Sequence, residues 1–388
     1  MASSKRILLL HPNFPGQFRL QAQDWAAHGH DVRFLCQTHY GRSLPGVQRL
    51  CLKRAAGHEA LESSGEQGYK RQLQMAKQYR NGFQTLLRQG WHPNLILSHA
   101  GWGCGLHASE CFPQARRIGY SEWWFGFTDD PLNNAEGAWT NRRRNMVMSA
   151  ELAECHTLVT PTRWQCQQLP PVLQQACQVL HDGVDLEAFH PNPTAKTAYP
   201  LLTYGTRGME PTRKFDDFVN GLPAALQHWP DLQVEIAGED RICYGGKPPQ
   251  GYNSFGQWAN VVLKPWINQG RVRFLGRLPT NAYRAWLQRS WVHAYLTTPY
   301  VASWSLLEAM ASGCCLLVNA SEPIQEFCSR REAWVAGETR DPGWIQRNLE
   351  TLLASPELRK QLGCEARKAA STYSSDASRE HWRRLAAV

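Results

Sequence analysis

One carboxylate lies inside an apolar stretch of the sequence, SWSLLEAMA (residues 303–311). Glu308 follows Ser305 by three residues, and the two residues between them are leucines. A lone acid in such surroundings is costly unless another group holds it. In a first interpretation, Ser305 and Glu308 form a capping box, in which the acid returns to the backbone of the serine. In a second, a helix begins here with its free N–H groups toward a phosphate, and Glu308 accepts hydrogen bonds from a ribose diol. The pattern alone favours both equally.

A basic stretch follows a different apolar run, in YGTRGMEPTRKFDDF (residues 204–218). Arg207, Arg213 and Lys214 are predicted to cluster in a loop between a strand and a helix. A solvated basic loop is the simpler interpretation of this stretch in isolation. In a parallel sheet, however, a diphosphate binds in such a loop, and arginine and lysine stabilise phosphate charge.

A histidine followed by glycines occurs in SHAGWGCGL (residues 98–106). His99 ends a predicted strand, the glycines allow a ligand to approach the backbone, and Trp102 offers a flat apolar face. A lone histidine is more often structural. The stretch lacks the third glycine of a GxGxxG fingerprint and an acid placed for a dinucleotide ribose, which argues against a nicotinamide cofactor.

Aromatic residues surround an acid in YSEWW (residues 120–124). Trp123 and Trp124 are predicted to pack in a core or on an interdomain face. Alternatively, they form a platform for an acceptor sugar, and Glu122 binds its hydroxyl groups. The second interpretation is slightly less favoured from the residues alone.

The motifs of several common enzyme classes are missing from the sequence. It contains no HExxH motif, P-loop, nucleophile elbow or spacing typical of metal ligands. We therefore predict neither a metal site nor a bound cofactor. The twelve cysteines are scattered and include no CxxC pair, which is typical of reduced thiols in a cytosolic protein.

Short apolar runs alternate with longer amphipathic ones, and this pattern occurs twice. The runs that predict strands are 5–10, 31–36, 94–99, 116–122 and 157–160 in the first half, then 201–205, 232–238, 271–276, 292–298 and 315–320. Such alternation predicts parallel sheets covered by helices on both faces. We expect an α/β protein with two doubly wound, Rossmann-like domains and an interdomain cleft.

A proline-rich joint near residues 190–200 separates the two halves. The predicted domains are residues 1–193, completed by a C-terminal helix at about 376–388, and residues 194–375. Ligands of open parallel sheets bind at the carboxyl ends of the strands. The loops that follow the strands are therefore where chemistry is expected.

The net charge of the 388 residues is +9, and it is spread along the chain. Residues 1–195 contain 19 basic and 15 acidic side chains, and the remainder contains 23 and 18. This even excess suits an anionic small ligand and does not indicate a nucleic-acid partner. No segment approaches 18 apolar residues, and the N-terminal apolar run is too short for a signal peptide. We expect a cytoplasmic protein, with a charge compatible with peripheral contact at the inner membrane face.

Several stretches resemble the family 4 glycosyltransferases of the GT-B fold, which are retaining enzymes that use activated sugar donors. The resemblance covers nearly the whole chain and is strongest in residues 271–326, where LLEAMASG is distinctive. TYGTRGMEPTRKF, VTPTRWQ, VLHDGVDLEAFHP and HPNFPGQF are also similar to their family counterparts.

The resemblance implies roles in donor binding for the second half of the chain. It implies that Glu308 holds the donor ribose and that Arg207, Arg213 and Lys214 neutralise the leaving phosphates. The backbone contacts to the diphosphate are implied for three consecutive residues, Ser305, Leu306 and Leu307.

In the first half, the resemblance implies that His99 reaches the reacting sugar. We also predict an acceptor side in this half, formed by Gly16, Trp102, Glu122 and Trp123.

One position departs from the family pattern. Family members often carry a second glutamate eight residues before the ribose-binding one, near the transferred sugar, and here that residue is Tyr300. A phenol donates a hydrogen bond but carries no negative charge at neutral pH. The choice of donor sugar is therefore expected to depend on this position.

The function that the resemblance implies is a retaining, metal-independent transfer of sugar from a nucleotide-diphosphate donor to a hydroxyl group. The acceptor would be a glycan, a lipid-linked molecule or a small molecule, as in the synthesis of cell-surface polysaccharides or glycolipids. The alternative is a catalytically degenerate protein that binds nucleotide sugars or glycans on the same fold.

Overall fold

The computed structural model describes residues 4–52, 65–126, 137–301 and 303–388. The chain divides into two compact units, of which the first is formed by Met1–Gly183 with Ser375–Val388 and the second by Val184–Ser374. This division lies ten residues before the boundary expected at residue 193, and it places the C-terminal segment in the first unit.

The described part of the first unit contains a seven-stranded parallel sheet. Its strands are β1 (Arg6–Leu10), β2 (Asp31–Cys36), β3 (Val47–Cys51), β4 (Leu95–His99), β5 (Arg116–Tyr120), β6 (Thr157–Thr160) and β7 (Cys177–Val179). They lie in the order β3-β2-β1-β4-β5-β6-β7. The helices before residue 184 are α1 (Arg19–Ala27), α2 (Gly65–Arg88), α3 (Ala108–Cys111), α4 (Gly137–Ala153), α5 (Arg163–Gln167) and α6 (Pro171–Gln174).

A second parallel sheet, of six strands within the described residues, forms the centre of the second unit. Its strands are β8 (Leu201–Gly208), β9 (Gln233–Glu239), β10 (Val272–Gly276), β11 (Val292–Tyr295), β12 (Leu316–Asn319) and β13 (Trp334–Ala336), in the order β10-β9-β8-β11-β12-β13. The helices are α7 (Phe215–His228), α8 (Phe255–Val262), α9 (Lys264–Asn268), α10 (Thr280–Arg289), α11 (Trp304–Ala311), α12 (Glu322–Gln325), α13 (Trp344–Ala354) and α14 (Pro356–Ser371).

The central strands are apolar at consecutive positions because both faces of each sheet are covered. In β1, Ile7 and Leu9 pack in one apolar cluster, whereas Leu8 and Leu10 pack in another on the opposite face. All four side chains are fully buried. Each such residue contributes roughly 1.5–3 kcal/mol to the free energy of unfolding.

The last helix, α15 (Ser375–Ala386), packs on α1 in the first unit. The rings of Trp382 and Trp25 meet edge to face with centroids 6.4 Å apart. Arg383 donates two hydrogen bonds to the carboxylate of Asp24, at 2.8 and 2.7 Å. A bidentate pair of this kind fixes orientation as well as distance.

The predicted α/β fold class, with two doubly wound parallel sheets, is confirmed. Three short strands were missed, and each of them lies at the edge of a sheet: β3, β7 and β13. Most of their residues are exposed or partly exposed. An edge strand has fewer buried positions, so its sequence lacks the continuous apolar run that marks a central strand.

In both sheets the strand order reverses beside the first strand of the sheet, which is the topological switch point of this architecture. The reversal occurs between β1 and β4 in the first unit and between β8 and β11 in the second. In this architecture, ligands bind at the carboxyl ends of the strands beside such a reversal. Among the helices that the structure describes, none has the length and apolar character needed to cross a membrane.

Candidate active site

The basic stretch of the second unit is divided between a strand and a turn. Strand β8 extends to Gly208, three residues beyond its predicted end, so Arg207 is an exposed residue of the strand rather than of the loop. Arg213 ends a short 3-10 turn, Pro211–Arg213, and Lys214 is the N-cap of α7. Only Arg213 and Lys214 therefore lie in the connection between strand and helix.

Arg213 carries a buried positive charge at the carboxyl edge of the sheet. Its side chain is 7% exposed. Nη1 donates to Thr297 Oγ1 at 2.8 Å and to the Tyr295 hydroxyl at 3.4 Å, and Nη2 donates to the Val301 carbonyl at 3.1 Å. No carboxylate of the described residues pairs with this guanidinium. Buried charges are normally paired with an opposite charge, so the site is suited to an anionic ligand.

Tyr300, which occupies the position of the second family glutamate, helps to enclose Arg213. Its side chain is 6% exposed, and its ring centroid lies 5.0 Å from that of Tyr244. The guanidinium carbon of Arg213 is 5.8 Å from the Tyr300 ring and 5.9 Å from the Tyr244 ring. Both distances allow cation–π attraction.

Tyr244 is positioned by the buried carboxylate of Glu210, which was not selected from the sequence. Oε2 of Glu210 accepts hydrogen bonds from the backbone N–H groups of Cys243, Tyr244 and Gly245, at 2.7, 2.8 and 3.4 Å. The Glu210 side chain is fully buried. The loop after β9 is thereby attached to the turn that carries Arg213. No spacing rule marks such an acid, because its partners are backbone groups 33 to 35 residues away.

Lys214 is already engaged with an acid. Its Nζ lies 2.9 Å from Asp217 Oδ2 and donates to Thr339 Oγ1 at 3.2 Å. Its backbone has φ +49, in the left-handed region. The lysine charge is therefore balanced locally, in contrast to that of Arg213.

Helix α11 begins two residues earlier than the capping-box interpretation requires. Ser303 is the N-cap, and its Oγ accepts a hydrogen bond from the Ser305 N–H at 3.1 Å. The predicted capping box between Ser305 and Glu308 is wrong. Ser305, Leu306 and Leu307 form the first turn of the helix, and the two leucine side chains are buried.

The start of α11 is connected to Arg213 through one phenol. The Tyr295 hydroxyl accepts hydrogen bonds from the Ser303 N–H at 2.9 Å and from Arg213 Nη1 at 3.4 Å. The buried cation and the positive end of the helix dipole consequently lie on the same side of the sheet. Both favour an anion.

Glu308 lies one turn into α11 and is partly buried. No group of the described residues forms a hydrogen bond with its carboxyl oxygens. Burial raises the pKa of Glu308 to about 7. Within the described ranges, the acid thus has no structural partner that explains its presence, and it is available to accept hydrogen bonds from a ligand.

In the first unit, β4 positions His99 against an acid. His99 Nδ1 donates to the carbonyl of Ala100 at 3.0 Å, and Nε2 lies 3.3 Å from Glu122 Oε2. The Gln17 side chain also donates to Glu122 Oε2, at 3.0 Å. Burial acts to raise the pKa of Glu122, but the hydrogen bonds from His99 and Gln17 outweigh it and hold that pKa below its ordinary value. The carboxylate is 37% exposed, so it can accept a further hydrogen bond.

A second histidine, which the sequence analysis did not select, lies between Gly16 and His99. The His11 ring meets the His99 ring edge to face with centroids 4.8 Å apart. Burial, together with the nearby His99, lowers the pKa of His11 to about 3, so its ring is neutral. Its Nδ1 accepts the Asn13 N–H at 2.9 Å. The feature of the sequence that could have selected His11 as a site residue is its position directly after β1.

Gly16→Ala is expected to displace the His11 ring. Gly16 has φ +50, and a Cβ atom there would lie 2.6 Å from two atoms of that ring. Gly29→Ala is the matched control, because Gly29 also has positive φ (+81) but no atom within 4 Å of its Cβ position. The control should lose about 1 kcal/mol of stability from backbone strain, and Gly16→Ala about 1–3 kcal/mol more from overpacking. Equal losses in denaturant unfolding would show that the ring contact is unimportant.

The predicted aromatic residues differ in their surroundings. Trp102 is 38% exposed, and its ring centroid lies 6.5 Å from that of His99. Trp123 is partly buried and packs on Trp164 at 5.6 Å. Trp124 is 7% exposed and belongs to an apolar cluster. Trp102 is therefore the residue whose face is most open to a ligand.

The structure gathers the predicted residues into two groups, one in each unit. The first group lies at the carboxyl edge of the first sheet and consists of His99, Gly16, Glu122 and Trp102. Arg213, Tyr300 and the start of α11 surround that of the second. Within the described residues, no group of three or more His, Cys, Asp or Glu side chains is arranged to hold a metal ion.

Two family models match most of the chain. Residues 28–189 match the glycosyl transferase family 4 group, and residues 216–382 match a glycosyl transferase-like family. No curated protein sequence matches the chain. The resemblance to family 4 glycosyltransferases of the GT-B fold is confirmed by these models and by the similar structures.

Solved structures are similar over nearly the full length. Sucrose-phosphate synthase from Thermosynechococcus elongatus has 16% sequence identity and a TM-score of 0.75, with 98% of each chain covered. Anabaena HepE in complex with UDP-glucose has 12% identity and a TM-score of 0.71, with 99% of this chain and 100% of that chain covered. A glycosyltransferase from Rickettsia africae has 12% identity and a TM-score of 0.69, with 99% and 98% covered. At these identities the likeness establishes the fold.

Proposed function

Both matched segments of this chain, residues 28–189 and 216–382, are glycosyltransferase-family domains, and we propose that it transfers a sugar from a nucleotide-diphosphate donor to a hydroxyl group with retention of configuration. The observation that carries the proposal is the buried Arg213 guanidinium, which has no anionic partner among the described residues and adjoins the start of α11. A diphosphate would supply the missing negative charge. The Glu308 carboxyl, one turn into α11, would then accept hydrogen bonds from the ribose.

The chemistry follows from where charge develops. When the bond between the sugar carbon C1 and the β-phosphate oxygen breaks, negative charge accumulates on the departing nucleotide. Arg213 and the N-terminus of α11 stabilise that negative charge. The exposed Arg207 contributes further stabilisation, and so does Lys214 once it leaves Asp217. The acceptor oxygen bonds to C1 on the same face, and its proton passes to the departing phosphate. Because fixed cations supply the positive charge, the reaction needs neither a metal nor another cofactor.

The first unit is proposed to bind the acceptor. Glu122 is charged and one-third exposed, and it accepts hydrogen bonds through Oε2 from Gln17 and His99. Its remaining acceptor capacity suits a hydroxyl group of the acceptor. The open face of Trp102 suits the C–H face of a sugar ring. His99 is proposed to reach the transferred sugar, and Trp123 and Gly16 to shape the acceptor side.

UDP is the nucleotide to test first, because HepE, which is similar in fold, was solved with UDP-glucose. The proposed acceptor is a glycan, a lipid-linked molecule or a small molecule, in a cytoplasmic step of polysaccharide or glycolipid synthesis. Peripheral contact with the inner membrane face is part of the same proposal.

The direct experiment is to incubate the protein with UDP-, GDP- and ADP-sugars and hydroxyl acceptors, and to follow release of the nucleoside diphosphate. One donor class is expected to turn over, with unchanged activity in a metal chelator and a product of retained anomeric configuration by NMR. Inversion of the anomeric centre, or loss of activity in the chelator, would contradict the proposed mechanism.

A catalytically degenerate binding protein is the second candidate, and Tyr300 is the observation that favours it. The tyrosine covers the Arg213 site and provides no carboxylate for the sugar. This candidate predicts saturable binding of a nucleotide sugar without transfer to an acceptor or to water.

A further inference from the structure

A buried acid that the proposed mechanism does not use lies behind His99. Glu151 in α4 is 2% exposed. Ser98, the residue before His99 in β4, donates its hydroxyl to Glu151 Oε1 at 2.7 Å. Oε2 is also buried, and no group in the described ranges forms a hydrogen bond with it. Burial raises the pKa of Glu151 to about 7, against the opposing effect of hydrogen bonds from Ser98 and the Gly105 backbone.

The same carboxyl packs against the glycine loop that follows β4. A Cβ atom on Gly105 would lie 2.4 Å from Glu151 Oε1, so only glycine allows this approach. On the other side of the loop, the Gln72 side chain of α2 donates to the Gly101 carbonyl at 2.7 Å. The loop is thus held between α2 and α4, and Trp102 is exposed at its turn.

We propose that Glu151 is a positioning residue, whose carboxyl group joins the end of β4 to the glycine loop and thereby fixes His99 and Trp102. We call this link between Ser98, Glu151 and the loop of residues 100–106 the joint. Its role in catalysis rests on the proposed function, whereas the joint itself is a property of the first unit alone. Oε1 accepts from the Ser98 hydroxyl and lies against Gly105, so one oxygen connects strand to loop.

The joint is expected to weaken when Glu151 loses its proton. The ionised group would bury a full negative charge with one oxygen unpaired, which costs far more than burying the neutral acid. The titratable groups that face it are His99 from β4, Cys104 from the loop and Cys155 beyond α4. Burial raises the pKa of both thiols above the ordinary value, so neither thiol is charged near neutrality. Solvation of the buried carboxylate therefore requires the loop to move.

Hydrogen exchange of the peptide that covers residues 100–106 tests this without any substrate. After correction for the intrinsic exchange rate, protection in the wild type is expected to fall at least tenfold between pH 6 and pH 8. Glu151→Gln keeps the acceptor oxygen and cannot ionise, so its protection should stay high at both values. Glu154→Gln, which changes an exposed acid three residues away, is the control and should behave as the wild type.

A second variant keeps the test decisive if Glu151→Gln does not fold. Ser98→Ala removes the hydrogen bond from the strand, so protection at pH 6 should be lower than in the wild type. The same donor favours the ionised carboxylate, so the remaining loss of protection should move to higher pH. Protection in the wild type that is independent of pH, or an unmoved transition in Ser98→Ala, would overturn the proposal.

Turnover supplies the functional readout. The wild type should show a KM for the acceptor that rises above pH 7 with little change in kcat, and Glu151→Gln should show a constant KM. A protein that shows the exchange pattern but no turnover would refute the proposed function and leave the joint established. Turnover with a pH-independent exchange pattern would refute the joint alone.

Discussion

Glu308→Gln is expected to stabilise the protein at pH 8 and to remove its affinity for nucleotide sugar. Burial raises the pKa of Glu308 from 4.5 to about 7, so the folded state binds this proton more tightly than the unfolded chain does. The contribution of Glu308 to stability is therefore greatest below about pH 4.5 and falls as the pH rises to about 7. The full shift corresponds to roughly 3 kcal/mol, and partial exposure of the side chain reduces the expected gain to about 1–2 kcal/mol.

Denaturant unfolding at pH 5 and pH 8 measures this effect. Glu308→Gln should exceed the wild type at pH 8 and match it more closely at pH 5, whereas Glu350→Gln, at an exposed acid of the same unit, should change little at either pH. A stabilised variant that no longer binds nucleotide would show that the acid is kept for a ligand at a cost in stability. Destabilisation at both values would instead mean that Glu308 supports α11.

Arg213→Leu is expected to lower kcat/KM by at least 10²–10³, the loss typical of removing one charge-stabilising donor at a reacting centre. The variant also loses the hydrogen bonds to Thr297 and Val301 that hold the loop before α11. Arg213→Lys keeps the charge but not the planar fork, so it should recover only part of the activity.

A matched variant separates the loss of binding from the loss of structure. Arg367 is another arginine of the second unit, and it donates to the carbonyls of Phe189, Ala311 and Leu186. Arg367→Leu should lower Tm as Arg213→Leu does, yet keep the increase in Tm that a nucleotide sugar produces. If Arg213→Leu also kept that increase, the guanidinium would be a structural group and the donor site would lie elsewhere.

The sequence predicted the architecture because the central strands are buried on both faces. β1 contains four consecutive apolar residues and β4 three, and these runs are visible without any structure. Every residue of the edge strand β3 is exposed or partly exposed, so no apolar run marks it. Every central strand was therefore found, whereas three of the four edge strands were missed and only β10 was predicted.

Prediction of the site was limited by contacts between distant segments. The resemblance selected Glu308 and Arg213, and the structure shows why each is unusual. Among the residues it describes, Glu308 is an acid without a hydrogen-bond partner and Arg213 is a buried cation without an anion. The N-cap at Ser303 was missed because Ser305 and Glu308 match the sequence pattern of a capping box, which places the N-cap at Ser305. Glu210 and Glu151 were not selected, since their partners lie 33 to 35 and 53 residues away.

Calorimetric titration of the wild type with UDP-, GDP- and ADP-sugars, with Arg213→Leu and Glu308→Gln alongside, tests the donor site most directly. One nucleotide class should bind the wild type at a single site and bind neither variant, while both variants remain folded. If no nucleotide sugar binds the wild type, or if both variants bind as tightly as the wild type, Arg213 and Glu308 do not form a donor site and the proposed transfer reaction is wrong.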